Sequence, residues 1–218
     1  MMFSASDDRT VGRTDWKALA KRVLVVVLVL SDWPTVHLLA QDTLPVGFGT
    51  VRRDEVTVRF ATGELEIQVL PLDQDIIRLL APDTYRSLDG LLGSRRRQID
   101  SAAARAGVSP PNAGLVLVTF FAVVPQARFV PDDLEITSRG RLFRPAAVVP
   151  LSPSWSTLQL AARQQATAVY LFEEGISFRE ALTVSYQGLR NESWQRSVSV
   201  LERERARVLA RAQAHRAP

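Results

Sequence analysis

The chain has 218 residues, of which 46% are hydrophobic, and a formal net charge of +4, which suits one compact domain with short attachments. It contains no cysteine, which excludes disulfides, thiolate nucleophiles and cysteine-based zinc sites. Lysine occurs only at Lys17 and Lys21, and beyond the first 40 residues the sole histidine is His215. After residue 40 there is therefore no Ser-His-Asp triad within the domain, no Schiff-base lysine and no histidine-based zinc site.

The N-terminal segment, residues 1–40, has the pattern of an export signal. A basic region ending at Arg22 precedes the continuous apolar run 23–30, and Ala40 offers a small residue for cleavage. One alternative is an uncleaved membrane anchor through residues 23–40, and another is a buried strand of the folded domain. A membrane span needs about 20 apolar residues, so the short run favours a cleaved signal and a periplasmic or extracellular protein.

Residues 41–111 are predicted to form a β-hairpin followed by a helical segment. Apolar and polar residues alternate on both sides of a glycine-containing turn, which indicates the hairpin. Pro82 suits the first position of a helix, and Gly107 suits its end. Gly90 and Gly93 each weaken the helix interior by about 1 kcal/mol relative to alanine, so we expect a bend or break there. One apolar stripe follows the helical spacing: Tyr85, Leu88, Leu92, Ile99 and Ala103.

Residues 112–190 change to a strand-like period of two. Short β-rich segments recur about every ten residues with proline and glycine between them, a pattern typical of a β-sandwich. These predicted strands are 115–124, 134–137, 142–144, 146–151, 158–160, 167–172 and 182–186. Residues 191–218 are predicted to form a C-terminal helix that packs through a stripe beginning at Trp194. The predicted fold class is therefore α+β.

Three motifs suggest a family. They are FVPDDL at residues 129–134, GRLFRP at 140–145 and LTVSY at 182–186. The three motifs come after the long first predicted strand. Together with that strand, over residues 115–188, they resemble the immunoglobulin-like domains of exported bacterial proteins of the DUF4352 and secreted-antigen type. The resemblance implies an immunoglobulin-like β-sandwich, secretion, and interaction with a protein or surface, and it supplies no catalytic residues. Four side chains of this region are predicted to face inward: Phe129, Leu134, Ile136 and Phe143.

Two features are candidate partner-binding sites. Trp155 lies in a proline-rich loop, where an indole either anchors a partner or covers the end of a core. Arg95, Arg96 and Arg97 form the densest basic cluster, which either contacts an anionic lipid or acidic partner or is a solvated helix face. No aromatic residue lies beside this cluster, so we expect no nucleic-acid partner.

Carboxylates are the remaining candidates for chemistry. Two groups of carboxylates could in principle bind calcium, but neither has a regular ligand spacing, and we interpret both as turn residues in solvent. The first group is Asp132, Asp133 and Glu135, and the second is Glu173 and Glu174. A glycosidase-like pair requires two carboxyl groups about 5–10 Å apart in a cleft. Neither G-x-G-x-x-G nor the P-loop pattern occurs, and we expect no cofactor and no metal.

The sequence favours an exported, non-catalytic interaction or structural module of the bacterial cell envelope, with a protein or an envelope component as partner. One alternative is a carboxylate-based hydrolase that acts on an envelope polymer. Another is a membrane-tethered protein whose C-terminal helix packs on a partner chain, with the membrane involved only if the leader remains uncleaved.

Overall fold

A computed structural model describes residues 44–109 and 112–216, so the predicted export signal and the alternative anchor at 23–40 lie outside the described residues. The fold is α+β, with antiparallel sheets and a C-terminal helix. The strands are β1 (Val58–Ala61), β2 (Leu65–Pro71), β3 (Gly114–Ala122), β4 (Ala127–Arg128), β5 (Leu134–Ser138), β6 (Arg141–Phe143), β7 (Pro145–Pro150), β8 (Gln159–Leu160), β9 (Gln165–Phe172), β10 (Leu182–Tyr186) and β11 (Leu189–Asn191). The helices are α1 (Gln74–Ile77), α2 (Pro82–Ala106) and α3 (Trp194–Arg216).

The strands form two main sheets and a short ribbon. The five-stranded sheet has the order β1-β2-β3-β9-β7, the four-stranded sheet has the order β11-β10-β5-β6, and β4 pairs with β8. All of these pairs are antiparallel. The hairpin predicted within residues 41–111 therefore supplies two strands to a sheet that residues 112–190 complete, and the two predicted segments share one core.

The strands predicted from alternation are all present, and the two additional strands, β4 and β11, contain only two and three residues. Helix α2 begins at Pro82 and ends before Gly107, whose φ of 70° gives a left-handed cap. It runs without interruption past Gly90 and Gly93, so the break considered there does not occur. Packing of its buried residues, such as Ile99 and Ala103, offsets the low helix propensity of glycine.

One face of the five-stranded sheet meets the four-stranded sheet through a cluster of aromatic rings. Phe120 on β3 lies 4.7 Å from the ring of Phe129 and 5.6 Å from that of Tyr186 on β10, measured between centroids. The Tyr186 hydroxyl accepts a hydrogen bond from the Val130 N–H at 3.0 Å, which satisfies the buried polar group. We call this side of the five-stranded sheet its inner face. The four residues predicted to face inward are all buried: Phe129, Leu134, Ile136 and Phe143.

The opposite side, the outer face, is covered in part by helix α2, which packs on β7 and β9. Because side chains alternate along a strand, the row Leu117, Val169 and Val149 points away from the inner face. All three residues are buried. The helix thus forms a third layer over one half of the sheet.

Helix α3 packs along the end of the domain through its predicted apolar stripe. The Trp194 indole is fully buried, and its Nε1–H donates a hydrogen bond to the carbonyl of Phe178 at 3.2 Å. Val198, Leu201 and Val208 continue the buried stripe. In the part of the chain that the structure describes, no helix combines the length and apolar sequence of a membrane span.

Candidate functional site: a groove beside helix α2

A groove of about 640 Å³ lies on the outer side of the domain. Helix α2 forms one wall, and the corner from Leu72 to Asp75, which connects β2 to α1, forms another. The start of β3 and the segment from Ile176 to Phe178 close the remaining side. We call this feature the α2 groove. It joins parts of the chain that are far apart in sequence, because β3 pairs with both β2 and β9.

The α2 groove is acidic. Four carboxylates line it, against one guanidinium, that of Arg96, which gives a formal charge of −3. The carboxylates belong to Asp73, Asp75, Asp89 and Asp100. The whole chain has a formal charge of +4, so the sign of the groove is opposite to that of the protein.

Asp100 and Arg96 lie on the helix wall of the α2 groove. The Arg96 Nε–H donates to Asp100 Oδ2 at 3.1 Å, an i to i+4 ion pair along α2. The second oxygen, Oδ1, is shielded from solvent and has no hydrogen-bond partner among the described residues. A buried acceptor without a donor is unfavourable, so a hydrogen-bond donor that reached Oδ1 would stabilise it.

Asp73 lies on the corner opposite the helix wall. Its carboxylate caps α1 by accepting a hydrogen bond from the Asp75 N–H at 2.8 Å. Burial raises the pKa of this carboxyl above its ordinary value, although the same backbone hydrogen bond acts against the shift. Asp73 is therefore first of all a helix cap, and burial raises the pKa of its carboxyl.

Asp75 and Phe178 separate the α2 groove from a second cavity of about 220 Å³, since both residues line both spaces. Asp75 forms an ion pair with Arg179 and lies 3.8 Å from an Arg205 guanidinium nitrogen on α3. Five residues give the second cavity an apolar wall: Ile76, Leu79, Phe178, Val198 and Leu201. We call this space the apolar side pocket.

The predicted partner-binding residues lie in different places. Trp155 is only 7% exposed, and its ring packs 5.0 Å from that of Phe129 within the aromatic cluster. This placement fits the alternative in which Trp155 covers the core, because little of the indole is available to a partner. Arg96 lines the α2 groove, whereas Arg95 donates to Gln98 at 3.2 Å and Arg97 is exposed on the helix surface.

The turn carboxylates lie at the surface and have partners there. Glu135 accepts from the Arg144 Nε–H at 3.0 Å, and Asp133 accepts from the Gln187 amide at 3.1 Å. Glu173 accepts from Arg141 at 2.8 Å. Within residues 44–109 and 112–216, no group of three or more potential metal ligands comes together.

One carboxylate, that of Glu204 on α3, is buried. It accepts hydrogen bonds from the Thr50 N–H at 2.9 Å, from the Thr50 hydroxyl at 2.8 Å and from Arg211 at 2.9 Å. Burial opposes ionisation of this carboxyl, but the hydrogen bonds from Arg211 and Thr50 outweigh it and hold the pKa below its ordinary value. Glu204 thus fastens the segment before β1 to α3.

Comparisons of the chain with protein-family models, with curated proteins and with solved structures found no match.

Proposed function

We propose that this protein is an exported, non-catalytic interaction module of the bacterial cell envelope, and that it binds its partner in the α2 groove. The observation that carries the proposal is the combination, in one concave space of about 640 Å³, of apolar walls and several charged groups. Ligand sites in proteins are concave and largely apolar, with a few polar groups that fix orientation.

The proposal includes an immunoglobulin-like arrangement of the two main sheets. The antiparallel pairing within each sheet and the aromatic cluster between them support it. Helix α2 is an addition to such a sandwich, and it creates the groove by covering only part of the outer face. Rigid elements on two sides of the groove keep its shape, which lowers the entropic cost of binding.

A carboxylate-based hydrolase is the second candidate, and one observation favours it. Burial raises the pKa of Asp73, which lies in a groove that also contains Asp100, and a raised carboxyl pKa is one property of the acid in a carboxylate pair. Incubation of the purified protein with isolated envelope polymer tests this candidate. Release of soluble fragments that Asp73→Asn or Asp100→Asn abolishes would establish the hydrolase and refute the non-catalytic module.

The membrane-tethered alternative needs helix α3 to pack on a second chain. The apolar stripe of α3 is buried against its own domain, from Trp194 through Val208, so another chain would have to use the polar side of the helix. Light scattering of the purified protein measures its mass and tests this alternative directly.

A crosslinking experiment in cells tests the primary proposal. We would place a photo-reactive residue at Gln74, which is exposed and lines the α2 groove, and at Gln195 on α3 as a matched exposed control outside it. The proposal predicts crosslinked adducts in the envelope fraction from position 74 and few or none from position 195. Recovery of the protein only as a cytoplasmic monomer, without adducts from either position, would contradict it.

A further inference from the structure

We infer that the α2 groove binds an extended cationic segment of a partner protein, with one large apolar side chain placed in the apolar side pocket. The inference rests on the proposed function, because it names the chemistry of the partner that the interaction module receives. It is argued from charge, from an unsatisfied acceptor, from the adjoining pocket and from a glycine in the groove wall.

Charge complementarity selects the sign of the partner. The walls of the groove and of the adjoining apolar side pocket together have five carboxylates and three guanidinium groups, a formal charge of −2 on a protein with a net charge of +4, so a basic segment is attracted there more than to the rest of the surface. Within the described residues, Asp89 at the rim makes no ion pair, and Asp100 makes one, with Arg96. A partner guanidinium or ammonium group therefore has carboxylates to meet.

The Asp100 Oδ1 atom selects a hydrogen-bond donor. The Asp100 side chain is 42% exposed, but Oδ1 itself is shielded from solvent and is without a donor among the described residues, while Oδ2 is bound to Arg96; a rotation of the carboxylate brings Oδ1 to a donor in the groove. Arginine and lysine are side chains that supply N–H donors and positive charge together. An apolar or acidic segment would leave this acceptor unsatisfied.

The apolar side pocket selects a large apolar side chain within the basic segment. It lies on the other side of Asp75 and Phe178 from the groove and has five apolar residues in its wall. The charges at its rim, Asp75 and Glu202 against Arg179 and Arg205, balance one another. An apolar side chain that enters this space buries its surface next to the residues that hold the basic groups, which gives the segment one anchor.

Gly93 keeps the groove open. It lies inside α2 and lines the groove, and a Cβ atom added there would meet nothing within 4 Å. Tight packing therefore does not require glycine at this position, although glycine is unfavourable in a helix interior. Gly90 lies on the same helix and is equally free of neighbours, but it is outside the groove. The pair provides a matched test and control.

The experiment measures binding of a defined probe to the full-length protein. The probe is a fluorescent peptide in which arginine alternates with leucine around a central phenylalanine, and its control has glutamate in place of every arginine. We expect fluorescence anisotropy to detect the arginine peptide alone, with affinity that falls as the salt concentration rises. Gly93→Leu should weaken binding at least about tenfold, whereas Gly90→Leu should change it by less than about twofold.

A second pair of variants tests the charge. Asp89→Asn should weaken binding by roughly two- to fivefold, and Asp83→Asn, a carboxylate of the same helix outside the groove, should leave it unchanged. Equal effects of the two glycine variants, or equal binding of the glutamate peptide, would overturn the inference. If the arginine peptide does not bind but position 74 still forms crosslinked adducts in cells, the inference that the partner segment is cationic is rejected, and the proposed function is not. Failure of both experiments would reject the proposed function as well.

Discussion

The two faces of the five-stranded sheet are built from the same strands but are packed in different ways. On the inner face, Phe120 and Tyr170 contribute large rings to a cluster that also contains Trp155. On the outer face, the covering helix places small residues such as Ala103 against the sheet, and Gly93 at the edge of the open groove. We therefore expect the inner face to supply more of the stability, while the outer face leaves room for a ligand.

Alternation along β3 shows how one strand serves both purposes. Val116, Val118 and Phe120 are fully buried on the inner face. On the outer face the buried Leu117 is followed by the half-buried Thr119, whose hydroxyl lies 3.2 Å from that of Thr167. The outer face therefore changes from apolar to polar along the strand.

The largest effect is expected for a charge placed in the inner core. Leu134 is fully buried on β5 opposite Tyr186, so Leu134→Asp should lower the free energy of unfolding by more than about 4 kcal/mol or abolish folding. The neighbouring change Asp133→Asn should cost less than about 0.5 kcal/mol, because Asp133 is only half-buried and its carboxylate is bound only to the Gln187 amide. Urea denaturation measures both, and similar small effects would show that the inner face is not the core.

Removal of a ring from the aromatic cluster ranks second. Trp155→Ala should lower the free energy of unfolding by about 3–5 kcal/mol, since it deletes a buried indole that contacts Phe120 and Phe129. Binding of the arginine peptide at a temperature where the variant is folded should not change. A stable Trp155→Ala protein that no longer binds would restore the indole as a partner contact and reverse the assignment of the two faces.

The Glu204 cluster should have an intermediate effect. Glu204→Gln removes the charge that Arg211 and Thr50 stabilise, and it should cost about 2–3 kcal/mol at neutral pH. Because the pKa of Glu204 is lowered in the folded protein, its stabilising contribution is present above the ordinary carboxyl pKa of 4.5 and is lost as the pH falls further.

Thermal unfolding as a function of pH separates this contribution from others. The stability difference between the wild type and Glu204→Gln should be constant near neutral pH and should shrink below about pH 4.5. A difference that does not change with pH would mean that the carboxylate charge is not what holds α3 to the segment before β1.

The smallest effect on stability has the opposite sign. Gly90→Ala and Gly93→Ala should each raise the free energy of unfolding by about 1 kcal/mol, because alanine favours a helix interior and neither Cβ meets a neighbour. Differential scanning calorimetry measures the change. A loss of stability for Gly93→Ala alone would mean that this glycine is needed for packing, and Gly90 would then no longer be a matched control for Gly93.

The secondary structure followed from local signals in the sequence. Period-two alternation placed β1 and β2, and Pro82 with Gly107 fixed the ends of α2 within the predicted bounds. The burial of Phe129 and Phe143 also agreed with their motifs. These features depend on neighbours in sequence, and local chemistry is enough to specify them.

The candidate site could not be predicted in the same way. The α2 groove brings Asp73, Asp100 and Phe178 together only because β3 pairs with β2 and β9 across long separations in sequence. Arg96 was singled out as part of a basic cluster, yet in the structure it is the one cation of an acidic groove. The low helix propensity of Gly93 could be read from the sequence, but only the structure shows that this glycine lines the groove, where a larger side chain would occupy space for a ligand.

Hydrogen exchange of the full-length protein, with and without the arginine peptide, tests the central claim most directly. We expect the peptide to add protection to backbone amides near Asp73, Gly93 and Asn112 around the α2 groove, while the strands of the inner face are already protected without it. Added protection confined to residues 128–144, or spread evenly over the surface, would contradict the account.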